Sequence, residues 1–123
     1  MTARKSHDRG QATVELALGL PVVCLMLLGV VQLAVVVRDQ LAVQLAAREA
    51  ARAAAVSADA AAAGAGAGRA TVRLAPLDVD VAVSGDSVTA TVVYVEHTDV
   101  PLIGLLLPDV RVTATATMRL EPP

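Results

Sequence analysis

Glu15 stands at the head of the longest apolar run in the chain, five residues after Gly10, in the stretch DRGQATVELALGLPVV (residues 8–23). From Leu16 to Val37 no side chain carries a charge. A carboxylate costs about 2.5–3.5 kcal/mol near the centre of a bilayer, and less at the edge, where it reaches the headgroups. An acid in the first turn of a helix is also favoured by the helix dipole. Glu15 is therefore either a helix-start acid at a membrane surface or a group kept for a specific contact.

The other side chains that could do chemistry are few and scattered. The two histidines, His7 and His97, lie on either side of the apolar run, so a shared metal or a histidine-based catalytic pair is not expected. Asp78, Asp80 and Asp86 fall on the polar face of a predicted strand and in a turn, and only superficially resemble a calcium loop. We predict that the protein is not an enzyme and that it binds no cofactor, metal or small-molecule substrate.

The composition points to a membrane segment rather than to a large soluble core. The chain is 55% hydrophobic, yet it has one Tyr and no Phe or Trp, the residues that usually dominate buried area. The formal net charge is −2, which argues against nucleic acid as a partner. The single cysteine, Cys24, excludes a disulfide within the chain.

The apolar run is long enough to cross a membrane. Residues 16–37 would form a helix of about 33 Å, and the hydrocarbon core of a bilayer is about 30 Å thick. Arg4, Lys5 and Arg9 precede the run, which predicts a cytoplasmic N-terminus and an extracytoplasmic remainder. We predict a transmembrane helix over residues 11–38 in a single-pass protein of the cell membrane, with the lipid bilayer as its partner.

After the apolar run the sequence predicts an alanine-rich helix and then a sheet. Residues 39–63 contain no Gly or Pro and many alanines, the best helix formers, and the glycines of 64–69 predict a linker that ends this helix. Alternation of Val and Thr with polar residues predicts strands over 78–84, 88–97 and 109–121, with 71–75 as a candidate fourth.

The predicted fold class is α+β. The long N-terminal helix would continue beyond the membrane and cover one face of a small antiparallel sheet domain over residues 70–123. An apolar segment at 100–108 separates the last two strands. It could close the end of the sheet, contact a partner or dip into the membrane surface.

The N-terminal pattern resembles the type IV prepilin (class III) signal. A basic leader of residues 1–10 ends at Gly10, and Glu15 and the apolar run follow. The resemblance implies that a prepilin peptidase cuts between Gly10 and Gln11, since a residue without a side chain lets an extended backbone enter a protease cleft. Glu15 would become the fifth residue of the mature chain, and in that family it is thought to pair with the N-terminal amine of a neighbouring subunit.

A longer stretch is similar to the TadE-like family of tight-adherence (Flp) pilus proteins, which are minor pilins or pseudopilins. The similarity rests on GQATVELALGLPVV, on the apolar run, and on AAREAARAAAV at 46–56. A proline after the acidic start is common in this family, which gives Pro21 a role in recognition or assembly.

The resemblance implies a structural or assembly subunit of a tight-adherence pilus, retained in the membrane or incorporated into an extracellular pilus. Its partners would be a prepilin peptidase, an inner-membrane assembly platform and other pilins. The alternative is a single-pass membrane-anchored protein whose N-terminus is not processed and whose small extracytoplasmic domain binds a partner.

Overall fold

Two helices and three strands make up the described part of the protein. The computed structural model describes residues 5–97, 105 and 108–121, and for residues 5–9 only the backbone. In chain order the elements are α1 (Lys5–Ala55), α2 (Ala60–Thr71), β1 (Leu77–Ser84), β2 (Ser87–Glu96) and β3 (Val110–Arg119). The α+β class predicted from the sequence is confirmed. The apolar segment predicted at 100–108 lies outside the described residues, except for Leu105 and Pro108.

The chain divides into two compact units, and the first, Met1–Leu33, contains the N-terminal part of α1. Its large apolar side chains are exposed, from Val14 at 58% to Leu33 at 64%. Pro21 lies inside the helix and does not end it. By length and composition the helix from Gly10 to Ala55 could cross a membrane, and its bare apolar surface fits a single-pass anchor.

The second unit, Ala34–Pro123, contains the sheet. Both strand pairs are antiparallel, in the order β1-β2-β3. β1 and β2 are joined by a tight turn at Gly85, whose φ of 61° favours a residue without a Cβ. Alternate residues of β2 point inward: Val88, Ala90 and Val92 are fully buried. The strand alternation predicted from the sequence is thus confirmed.

The alanine-rich part of α1 covers the inner face of this sheet, as predicted. Ala46, Ala47, Ala50 and Ala51 are buried in one core with residues of all three strands. Alanine side chains allow the helix backbone to approach the sheet closely, so the core is thin and contains no large aromatic group. At the open edge of the sheet the Gln40 side chain donates a hydrogen bond from Nε2 to the carbonyl oxygen of Thr113 at 3.3 Å.

Three details of the predicted secondary structure are wrong. The glycines of 64–69 do not form a linker, because they lie inside α2, and the first helix ends at Ala55 rather than at residue 63. The break falls instead at Ser57–Asp59, where the Asp59 carboxylate accepts a hydrogen bond from the Ala62 N–H at 3.1 Å and caps α2. Residues 71–75 are not a strand, because α2 extends to Thr71 and the rest connects it to β1.

Packing explains why the glycine-rich segment is helical. Gly64 and Gly68 lie one turn apart on the buried face of α2. A Cβ on Gly64 would lie 2.8 Å from a methyl carbon of Val81 and 3.0 Å from the carbonyl oxygen of Ala50. Gly64 therefore lets α2 lie against α1 and β1 at a distance that a larger residue would not permit without a shift of its neighbours, and the space at Gly68 is also tight, with the nearest atom 3.2 Å from its Cβ position. This close contact offsets the roughly 1 kcal/mol that each glycine costs a helix.

Candidate processing and assembly site

The residues predicted for processing and assembly all lie on the first part of α1. Gly10 and Gln11 are consecutive helical residues, and Glu15 follows Gln11 by one helical turn, so Gln11 and Glu15 share a face. All three are exposed, and so is Pro21. No atom lies within 4 Å of the position that a Cβ on Gly10 would take. The site is therefore an open strip of helix, accessible to another protein.

The backbone at Gly10 differs from the expectation. The prepilin hypothesis needs an extended chain at the cleavage position, whereas α1 begins at Lys5 and Gly10 is helical. A protease would have to unwind the first turns of the helix before it could bind them. Glycine makes this easier, because it is the weakest helix former after proline.

A second group of polar side chains lies at the start of the second unit, and sequence reasoning did not find it. Asp39 is the first residue after the predicted transmembrane helix of residues 11–38, yet its side chain is 1% exposed. The carboxylate of Asp39 accepts hydrogen bonds from Nε and one terminal nitrogen of Arg38, each at 3.2 Å. Asp39 lies on the same face of α1 as the buried residues Val43 and Ala46, which follow it by four and seven positions. This helical spacing explains why Asp39 is buried.

Glu96 ends β2 and is half-buried. Burial raises the pKa of its carboxyl above the usual value of 4.5, and the negative charge of Asp39 acts in the same direction. Burial also raises the pKa of Tyr94, and the negative charge of Glu96 raises it further.

The remaining candidate residues are solvent-exposed. His97 pairs with Asp109 at 3.2 Å, and both side chains are more than half exposed. Within the part of the chain that the structure describes, no group of three or more His, Cys, Asp or Glu residues could hold a metal ion. Asp78 and Asp80 lie exposed on β1, and Asp86 pairs at the surface with Arg119 at 3.3 Å.

The outer face of α1 in the second unit is partly apolar. Leu41 is 61% exposed and Leu45 is 49% exposed, and Val37 precedes Leu41 by one helical turn. Arg48 and Arg52 continue the same exposed stripe. A stripe of this kind on a helix that is already packed on its other face is available for contact with another helix.

An apolar, exposed N-terminal helix that is followed along the chain by a small α+β unit fits a class of proteins, those with a single membrane-anchoring helix. Within that class, the model of the family described as TadE-like protein matches residues 10–52. The match begins at Gly10, includes Gln11, Glu15 and Pro21, and ends in the alanine-rich part of α1. The match covers about a third of the chain and confirms the TadE-like resemblance over that part. No curated protein and no solved structure matches the chain.

Proposed function

We propose that the protein is a structural or assembly subunit of a tight-adherence pilus, made as a precursor and cut between Gly10 and Gln11 by a prepilin peptidase. The observation that carries this proposal is the extent of the family match, which starts at the glycine that would precede the cut. The exposure of Gly10 and Gln11 supports it, because a peptidase must reach both residues.

After cleavage the apolar helix would serve as membrane anchor and then as the surface that packs with other pilins. Two observations support this role. The apolar side chains of the first unit have no cover, and the apolar stripe of Val37, Leu41 and Leu45 is exposed in the second unit. Such surfaces are unfavourable in water and are covered by lipid or by another protein. An inner-membrane assembly platform would hold the subunit during this transfer, with the N-terminus on the cytoplasmic side.

The direct test is the N-terminus of the protein isolated from its native cells. We expect mass spectrometry to show a chain that begins at Gln11 in wild-type cells. In a strain deleted for the prepilin peptidase we expect a chain that keeps the residues before Gln11. A full-length chain in cells with an active peptidase would contradict the proposal. It would favour the alternative, an unprocessed single-pass protein, which the continuous helix across Gly10 also supports.

Glu15 tests the assembly step separately from cleavage. In the mature chain its carboxylate would pair with the new amine of a neighbouring subunit, which lowers the cost of placing both charges in an apolar surrounding. We expect Glu15→Ala to leave cleavage almost unchanged but to reduce incorporation into sheared pili on the order of tenfold, because an unpaired buried amine costs at least about 1.4 kcal/mol. Glu15→Asp is the matched control that keeps the charge. Normal incorporation of Glu15→Ala would exclude an assembly role for this carboxylate.

A further inference from the structure

Two arginines that are far apart in the sequence meet at one cleft of the second unit. Arg38 lies on α1, and Arg73 lies just beyond the end of α2 at Thr71. The cleft has a volume of about 330 Å³ and is lined by Arg38, Asp39, Ala42, Val72, Arg73 and Leu74. Both arginine side chains are exposed. Only the packing of the two helices brings these positive charges to the same place.

Asp39 fixes the position of Arg38 at this cleft. Oδ1 of Asp39 accepts hydrogen bonds from Nε and one terminal nitrogen of Arg38, each at 3.2 Å. The Asp39 side chain is 1% exposed, whereas that of Arg38 is 74% exposed. The carboxylate therefore holds one side of the guanidinium from within the protein, and the other terminal nitrogen stays accessible. An arginine held in this way loses less conformational entropy when it binds an anion.

The charge of the cleft is not balanced by its own residues. Arg38 and Arg73 carry two positive charges and Asp39 carries one negative charge, which leaves one positive charge in excess. Arg73 makes no hydrogen bond or ion pair with the part of the chain that the structure describes. A ligand with a single negative charge would complete the balance and would give Arg73 a partner.

The cleft lies where the membrane segment ends along the chain. Arg38 is the first charged residue after the uncharged run from Leu16 to Val37. A helix that carries this run across a bilayer places Arg38 among the headgroups on the side where the run ends. Because Arg73 lines the same cleft as Arg38, the fold brings a second positive charge to that membrane surface.

We propose that this cleft binds the phosphate of a phospholipid headgroup, with Arg38 and Arg73 as the donors. The planar guanidinium of arginine matches a phosphate group well, because it can donate two parallel hydrogen bonds to it. The phosphodiester of a lipid carries one negative charge, which balances the cleft. The bound lipid would connect α1 and the segment after α2 at the membrane surface.

The apolar part of the lining favours a lipid over a free phosphate ion. Ala42, Val72 and Leu74 complete the wall of the cleft, and all three are half-buried. Such a surface suits the glycerol and the first methylene groups of a lipid, whereas a free phosphate ion would lose hydration there without compensation. The inference requires only that the apolar helix is anchored in a membrane, and it does not depend on cleavage at Gly10 or on pilus assembly.

Native mass spectrometry of the full chain, released from detergent micelles with added lipid, measures the binding. The probes are dioleoylphosphatidylglycerol, which has a phosphodiester, and dioleoylglycerol, which has the same acyl chains and no phosphate. We expect the phosphatidylglycerol to bind on the order of tenfold more tightly, the effect of one charge-assisted hydrogen bond. Equal binding of both lipids would overturn the proposal, since the acyl chains alone would then explain it and the arginines would be left for a carboxylate of a partner protein.

Replacement of Arg73 tests the cleft without disturbing the buried carboxylate. Arg73 is exposed, so Arg73→Gln should fold as the wild type does and bind the phosphatidylglycerol on the order of tenfold more weakly. Arg73→Lys keeps the charge and should lose less affinity. The control is Arg69→Gln, because Arg69 is an exposed residue in the last turn of α2 that does not line the cleft. Unchanged affinity in Arg73→Gln, or an equal loss in Arg69→Gln, would overturn the proposal.

Inorganic phosphate distinguishes a lipid site from a site for a soluble anion. At the same concentration as the lipid, it should leave the phosphatidylglycerol bound to the wild-type chain, because it gains nothing from the apolar wall. Displacement of the lipid under these conditions would show that the cleft prefers a free anion, and it would overturn the assignment to a lipid headgroup.

Discussion

Replacement of Gly10 by leucine is expected to stop removal of the first ten residues almost completely. The side chain would project from the backbone at the position that must enter the peptidase, and a misplacement of about 1 Å at a reacting group can lower a rate on the order of a hundredfold. Leucine also favours a helix over glycine by about 0.8–1 kcal/mol, so the turn that contains the cut would unwind less readily. Both effects lower the rate of cleavage.

The structure separates this effect from misfolding. A Cβ on Gly10 meets no atom within 4 Å, so Gly10→Leu should insert and fold as the wild type does. Gly19 is the matched control, because it lies in the same helix, is exposed, and also has nothing within 4 Å of its Cβ position. The fraction of processed chain is measured by intact mass after pulse labelling. If Gly10→Leu is cut as fast as Gly19→Leu, the class III signal is not used at this position.

The second large effect is expected at Gly64, where α2 touches both α1 and β1. In Gly64→Ala the new methyl group would lie 2.8 Å from a Val81 methyl carbon and 3.0 Å from the Ala50 carbonyl oxygen. The backbone oxygen cannot move without shifting α1, so the variant should lose about 1–3 kcal/mol of unfolding free energy, as overpacked cores do. Chemical denaturation of the full chain in micelles measures this loss of unfolding free energy.

Gly66 provides the control in the same helix. Its Cβ position is open, so Gly66→Ala should raise the unfolding free energy by up to about 1 kcal/mol, the gain in helix propensity. Both variants gain the same helix propensity. The difference between their unfolding free energies therefore measures the effect of the contact with Val81 and Ala50. A Gly64→Ala variant that is as stable as Gly66→Ala would show that the two helices are not packed closely at this point.

The sequence predicted the parts of the fold that depend on local period. The apolar run, the Val and Thr alternation, and an alanine-rich helix against the sheet follow from side chains that repeat at 3.6 or 2 residues. Val112 and Ala114 therefore point to the inner face of β3 as expected, and Arg111 and Thr113 to the outer face. These properties need no knowledge of what lies next to each element.

The errors arose where a distant contact determines the local structure. Repeated glycines normally favour a linker, and only the presence of Ala50 and Val81 makes Gly64 suitable for a helix. The four-residue spacing of Gly64 and Gly68 was the available signal, since it places both on one face. Asp39 is buried although it is charged, because it precedes the buried Val43 by one helical turn and so lies on the buried face of α1.

The residues of the processing site could be predicted from the sequence, but their backbone conformation could not. The order of Gly10, Gln11 and Glu15 is a linear signal, so the residues could be named without any fold. Their helical backbone could not be derived in the same way, because glycine is compatible with both the helical and the extended state.

Tyr94, which packs against the core between α1 and the sheet, is the single tyrosine of a chain that has no Phe or Trp. Near-ultraviolet absorption and intrinsic fluorescence of the protein therefore originate at a single place, beside the contact between helix and sheet. Tyrosine fluorescence of an unlabelled sample therefore reports on that contact, and the apolar helix contributes no tyrosine or tryptophan signal of its own.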